Sequence, residues 1–374
     1  MFSSENLIHI LIFVLGLITV ILTLSSAAST FVLPRAARSQ LNRLVFGVLR
    51  RIIDFFLHLA KTYRRRDAIM AYYAPVGLLL LLPTWYLLIL VGCAAMYWAL
   101  GVGDLFAVLR LSGSSLFTLG FDISKTPVVT LFAFSEAMLG LMLVGLLIAY
   151  LPTMYSAFSR REQAVNMLEV RAGSPPSAVE MLLRFHRNHG LEKLSDYWKV
   201  WEAWFADVEE SHTTLPALIF FRSPRAENSW VTAAGTILDA AAITLSAIEI
   251  PYEVSAPLCI RAGFLAFRRI AHYFDIPSPD DPHFPDTPIC VERQEFDEVI
   301  DQLAAAGLPL KPDREKAWRN YAGWRVNYDR ALILLCGLVM APRASWSSDR
   351  APQFRQPPLM ILKKHKLLSG AENT

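Results

Sequence analysis

Residues 101–127 read GVGDLFAVLRLSGSSLFTLGFDISKTP, and this stretch decides the fold. It lies between two long apolar segments. It is too short to hold two further membrane crossings and too apolar for an ordinary outer loop. From Asp104 to about Leu116 apolar residues recur at helical spacing behind an acidic first position. A Gly-containing turn follows. A short helix and a turn between two crossings form a re-entrant element, and such backbone exists at membrane depth only where it lines a wet cavity or is buried in protein.

The flanks set the frame. Before the stretch, residues 72–100 include VGLLLLLPTWYLLILVGCAAMYWAL, with Pro83 as a point of bending; after it, residues 127–158 are again apolar. An earlier segment, Leu7–Leu24, is the third of this kind. Each reaches the length needed to cross a bilayer, about 20 residues. The last would be about 48 Å long, which exceeds the hydrocarbon core, so its end should project into water. The serine- and alanine-rich run after Leu24 resembles a cleavage site, but the residues before the apolar run include Glu5 and no Lys or Arg. A retained helix is therefore expected.

Charge divides the chain. Hydrophobic residues make up 54% and charged residues 18%, which excludes disorder and argues against a purely soluble chain. Residues 1–158 hold 11 Lys and Arg and 6 Asp and Glu, whereas residues 159–374 hold 25 and 27. The first part reads as lipid-embedded and the second as water-soluble. The net charge of +3 is too small to point to nucleic acid. Nine Lys and Arg lie in residues 31–71, only Arg110 and Lys125 lie in 101–126, and Arg160 and Arg161 follow the last segment. The positive-inside rule then gives a multi-pass protein of the cell membrane, N-terminus outside and C-terminus cytoplasmic. The four cysteines, Cys93, Cys259, Cys290 and Cys336, include no close pair, so neither a zinc ribbon nor a C-x-x-C site is available.

Within 31–71, residues 39–63 place Leu44, Val48, Ile52, Phe56 and their neighbours at helical spacing, with Arg43, Arg50, Arg51, Asp54 and Lys61 on other faces. This is a basic amphipathic helix, which either lies on the inner leaflet or packs on the soluble domain.

Ser115-Leu116-Phe117-Thr118-Leu119-Gly120-Phe121 resembles the potassium-channel pore signature T-x-x-T-x-G-[YF]-G, after a short helix and before a long inner one. The resemblance covers about residues 72–160. It implies a selectivity filter of Thr118, Leu119, Gly120, Phe121 and Asp122, supported by Ser115 and by Glu136 behind it. Filter carbonyls would replace the hydration shell of a permeating monovalent cation, potassium first. One chain supplies one such segment, so a homotetramer is implied. Phe121 would pack behind the filter. Asp122 stands where the family has its second filter glycine. Either it takes a left-handed backbone and adds a ring of charge at the outer mouth, or the upper site is reshaped; strict potassium selectivity is open in both cases. Gly140 and Gly145 would allow close packing or a hinge, and Pro152 a kink near a gate. Ala137, Gly140, Val144, Leu147 and Leu151 share one stripe of the inner helix.

The second half reads as a helical cytoplasmic domain, residues 178–342. A linker, 161–177, precedes it and a loose basic tail, 343–374, follows. Helices are expected at about 177–189, 193–211, 229–249, 256–274, 292–306 and 313–341. Tyr197, Trp201, Trp204 and Val208 form a core stripe. Residues 229–250 are apolar enough to span, but Asp239 and the small residues favour a buried helix. Catalytic signals are weak. His186 and His189 lack metal-binding partners nearby, Glu209 to His212 are merely adjacent, and no nucleotide-binding glycine loop is present. Arg222 and Arg225 either bind an anion or pair with acids.

The expectation is an all-α membrane protein. It has three transmembrane helices, a re-entrant pore helix and filter loop, and an all-α cytoplasmic domain. It would be a non-enzymatic cation channel without cofactor, in contact with membrane lipid and with a gating ligand or protein that the sequence does not name. The alternative is a non-conducting scaffold or sensor that keeps a degenerate pore fold.

Overall fold

The computed structural model describes residues 4–31, 39–251 and 253–352. Among these the regular elements are helical, apart from an isolated antiparallel bridge between Ile248 and Leu310. In chain order they are α1 (Ser4–Phe31), α2 (Gln40–Leu59), α3 (Tyr63–Ala71), α4 (Tyr73–Ala99), α5 (Leu105–Leu116) and α6 (Pro127–Ala172). There follow α7 (Ala178–Arg187), α8 (Leu194–Thr214), α9 (Trp230–Ala247), α10 (Ser255–Tyr273), α11 (Arg293–Ala305), α12 (Arg314–Arg325) and α13 (Asp329–Leu338). Four stretches are long and apolar enough to cross a membrane: α1, Tyr63–Ala99, α6 and α9. The last is 94% buried within the protein.

Two compact units emerge, and they do not follow chain order. Residues 1–49 and 72–156 make one; residues 50–71 and 157–374 make the other. In the first, α1 and α4 run antiparallel. His9 stacks on Trp98 at one end, and Trp85 donates to Ser26 Oγ at 3.3 Å near the other. Between them the backbones nearly touch: a Cβ on Gly16 would fall 2.5 Å from the Gly92 carbonyl oxygen. Small residues permit that approach, which is how apolar helices gain contact where lipid offers no hydrophobic driving force. His9 Nδ1 lies 3.1 Å from the Ala99 carbonyl, and a carbonyl only accepts, so Nδ1 carries the proton. Pro83 does not break α4.

In the second unit, α9 is the central element. All but one of its 18 residues are buried. Glycines let neighbouring side chains close on it: Gly235 faces Leu332, and Gly263 of α10 faces Leu238 and Phe205. Of the expected stripe on α8, Trp201, Trp204 and Val208 are buried and Tyr197 is half-buried, and Trp198 and Phe205 beside it are buried as well.

Several boundaries differ from the sequence reading. The linker expected at 161–177 is helical through Ala172, and only residues 173–177 interrupt the helices. The amphipathic helix stops at Leu59, and α3 starts at Tyr63. The helix expected over 313–341 breaks at residues 326–328, because Tyr328 leaves helical angles and sends its hydroxyl into the core to donate to Asp239 at 2.8 Å. The tail expected from residue 343 is packed as far as the description reaches: Ala344 and Trp346 are buried, and Arg325 donates to the Trp346 carbonyl at 2.6 Å. The remainder of that tail, 353–374, lies outside the described residues.

Candidate functional site

Residues 104–126 form a helix and a loop whose geometry the local sequence dictates. Asp104 caps α5, its carboxylate accepting from the Ala107 amide at 2.9 Å. At the other end the chain turns through positive φ twice, at Thr118 (55°) and Gly120 (71°), two residues apart. Glycine adopts this region freely; threonine is strained there. Ser114 holds the turn. Its carbonyl accepts from the amides of Leu119 at 2.8 Å and Gly120 at 3.4 Å, and its hydroxyl accepts from the Asp122 amide at 3.0 Å. The Thr118 amide bonds the Ser115 carbonyl at 2.9 Å. The amides of Thr118, Leu119, Gly120 and Asp122 are thus turned onto the end of α5. Among the described residues, the carbonyls of Thr118, Leu119, Gly120 and Phe121 accept no hydrogen bond.

Two contacts fix the loop's base. Glu136 of α6 is buried and accepts from Ser112 Oγ at 2.5 Å and from Tyr97 Oη at 2.7 Å, so one carboxylate ties α6 to α5 and α4. Gly140, one turn on, lies against the end of α5. A Cβ there would fall 2.1 Å from the Leu116 carbonyl oxygen. The Gly140 carbonyl accepts from Tyr86 Oη at 2.6 Å, and the Tyr86 ring stacks on Phe117.

Other expected roles are redistributed. Asp122 does not take a left-handed backbone; that angle falls on Thr118. Its carboxylate is paired within the chain, with Arg110 Nε at 2.9 Å, and is not a bare charge. Phe121 is 62% exposed, as is Leu119, so nothing in its own chain packs over it. Ser115 serves through its carbonyl, while the buried hydroxyl that holds the loop belongs to Ser114. Gly145 has open space around it, and α6 continues unbroken through Pro152. The stripe from Ala137 to Leu151 is split: Gly140 turns inward, whereas Val144 and Leu151 are exposed. A different set, Leu131, Phe134, Met138, Leu141, Ile148 and Tyr155, holds the most exposed apolar side chains of α6 within the first unit.

The second unit holds buried charge that sequence reasoning passed over. Arg161, counted from sequence only as a basic residue following the last apolar segment, is fully buried. It donates to Glu162 Oε1, to the carbonyls of Leu218 (2.9 Å) and Phe221 (2.7 Å), and to His212 Nε2 at 3.2 Å. His212 Nδ1 lies 2.8 Å from the Val208 carbonyl and so carries the proton. Burial and then the Arg161 charge hold this imidazole well below its usual pKa. Because Nε2 already accepts from Arg161, Glu209 to His212 is not a catalytic triad; Ser211 Oγ donates to the Asp207 carbonyl and Glu209 pairs with Arg269.

A second network centres on Asp239, whose two carboxylate oxygens share Arg325 Nη1 (2.6 and 2.8 Å), Oδ1 accepting also from the hydroxyl of Tyr328. Arg325 also donates to Asp329, whose carboxylate receives the Cys290 amide. An acid in an otherwise apolar helix was the one signal for this cluster. Arg222 and Arg225 pair with acids: Arg222 with Asp67 and Arg225 with Glu169. Among the described residues no cluster of three or more His, Cys, Asp or Glu side chains is placed to hold a metal ion, and His186 and His189 belong to none.

No family model, curated protein or solved structure matches this chain.

Proposed function

We propose that the chain is one subunit of a homotetrameric cation channel in which the loop Thr118–Asp122 of four copies forms the ion path. What carries this reading is the division of hydrogen bonds in that loop. The amides of Thr118, Leu119, Gly120 and Asp122 are spent on Ser114 and Ser115, and four successive carbonyls, 118 to 121, are left without a hydrogen bond among the described residues. In a single chain these exposed carbonyls are hydrated; gathered around a shared axis they are what a dehydrating cation needs. The exposed Leu119 and Phe121, and the exposed apolar face of α6, would be covered by neighbouring copies. The permeant ion is monovalent, with potassium the first candidate, and the helical second unit regulates the pore. Because α6 contributes residues to both units, a change around Arg161 alters open probability while ion preference stays with the loop.

The test is flux through purified, reconstituted protein, with its oligomeric mass. Four copies and potassium flux abolished by Gly120→Ala are expected. A monomer or dimer, or tetramers that pass no cation, would overturn the reading. The Arg110–Asp122 ion pair favours a second reading, a non-conducting scaffold on the same helices, because it ties the loop's outer end to its own helix. Robust flux removes that alternative.

A further inference from the structure

Helix α2 has two apolar faces, and the protein covers only one. Phe46, Leu49, Ile53 and Leu57 are buried. On the opposite side Leu44, Val48, Ile52, Phe55, Phe56 and Leu59 are open, Phe55 and Leu59 by about two thirds (67% and 66%). They follow the helical repeat, so they form one continuous strip along a helix about 30 Å long. A strip of six large apolar side chains exceeds the scattered exposure that soluble surfaces normally carry.

Two further observations say what covers it. First, the helix begins where two apolar helices end. Ser39 Oγ lies 2.7 Å from Ser26 Oγ, and Asn42 Nδ2 donates to Thr30 Oγ1 at 2.6 Å, so α2 starts at the last turns of α1. The Phe46 ring then closes on Gly77 and Tyr73, the first turns of α4. Both neighbours are long and apolar enough to span a bilayer, and α2 is fastened to the ends that face the same side. Second, the charges that follow the strip along the chain are one-sided. Lys61 and Arg65 are exposed and have no ion-pair partner among the described residues, whereas the acids of this stretch are occupied, Asp54 by Arg50 and Asp67 by Arg222.

We propose that the open face of α2 is a lipid-docking surface, seated at the headgroup–acyl boundary of an anionic leaflet, with Lys61 and Arg65 on the phosphates. Amphipathic helices bind this way, through buried apolar area and attraction to anionic headgroups. The packed face explains why the sequence fits both a membrane surface and a protein surface: each has its own side of the helix. This surface serves the protein whether or not the pore conducts.

The experiment uses the full chain in liposomes. An environment-sensitive fluorophore is attached at Phe55→Cys, at Leu59→Cys and, as a water-exposed control, at Val200→Cys on α8. The native cysteines interfere little: Cys93, Cys259 and Cys336 are buried, and burial pushes the Cys290 thiol up to about 12. Bromine-labelled phosphatidylcholine should quench positions 55 and 59 and leave 200 unaffected. Adding phosphatidylglycerol should deepen the quenching, and each of Lys61→Gln and Arg65→Gln should weaken that gain by roughly fivefold. If labels at 55 and 59 answer to aqueous iodide as position 200 does, the surface is bare and the proposal fails. Shielding from both quenchers means a second protein copy covers it, which overturns the proposal equally. Quenching indifferent to phosphatidylglycerol overturns the anionic assignment. None of these readings requires current, so they stand apart from the flux test.

Discussion

The carbonyl of Leu116 and the Cα of Gly140 are in contact at a point where no side chain fits: a methyl on Gly140 would lie 2.1 Å from that oxygen. The obstacle is backbone at the end of a helix, so it cannot swing aside as a flexible side chain would. Gly140→Ala should therefore force α6 away from α5, break the Tyr86 hydroxyl bond to the Gly140 carbonyl, and cost about 1–3 kcal/mol or more. Gly145→Ala is the control, since nothing lies within 4 Å of its Cβ position, and alanine favours the helix. Thermal unfolding in detergent should show a clear drop for the first variant and none for the second. Equal behaviour would remove the close approach as the reason for glycine at 140.

The contrast between these two glycines shows how far the sequence was readable. Apolar length located α1, α4 and α6, and a run of small residues around Asp239 pointed to the buried α9, because composition and period carry that information directly. Which glycine packs tightly depends on helix rotation and on a neighbour's backbone, and neither is written at the position itself. The same holds for Ser114 against Ser115: adjacent hydroxyls in one helix face different sides, and only the path of the loop selects between them. Nothing in the sequence marks Arg161 as buried, since a basic residue after an apolar segment is normally solvated. Its partners are backbone carbonyls at 218 and 221, which have no sequence signature. The break in the expected 313–341 helix belongs to this class, since Tyr328 gives up helical angles for a bond with a residue 89 positions away.

Glu136 should tolerate little. Its two oxygens take one proton each from Ser112 and Tyr97, on two other helices. Tyr97→Phe keeps the ring and leaves one buried carboxylate oxygen unpaired, at a cost of about 1–3 kcal/mol. Ser112→Ala removes the other donor. The two variants share one acceptor group, so their effects should not add, and a double-mutant cycle read by unfolding should return a coupling of about 0.5 kcal/mol or more. Strict additivity would mean the carboxylate does not link the helices.

The Asp239–Arg325 pair predicts that a second substitution offsets part of the damage done by the first. Both groups are buried, and the guanidinium spans four acceptors: Asp239, Asp329, the Trp346 carbonyl and Cys290 Sγ. Arg325→Met strands two acids in the core and should cost about 3–5 kcal/mol. Changing Asp239 to Asn at the same time removes one stranded charge and should recover part of that loss. Circular dichroism during urea unfolding reads both. A double variant less stable than Arg325→Met would show that Asp239 is held by something other than this arginine.

His212 gives the second unit a pH dependence whose direction follows from its surroundings. Buried beside Arg161, the imidazole stays neutral in the folded chain well below the ordinary histidine pKa, whereas in the unfolded chain it takes a proton near that ordinary value, about 6.5. Below that value the unfolded state binds more protons than the folded state, so stability falls as pH falls. The window opens near the unfolded pKa and extends down to the depressed folded one. Within it the loss approaches about 1.4 kcal/mol per pH unit for this single group. His212→Gln keeps a polar side chain that does not titrate, and should flatten the decline between neutrality and mild acid even if it lowers stability at neutral pH. Denaturant midpoints of the two proteins across that range make the comparison. Parallel curves would mean His212 takes up its proton in the folded state as readily as in the unfolded one, which its contact with the Arg161 guanidinium opposes.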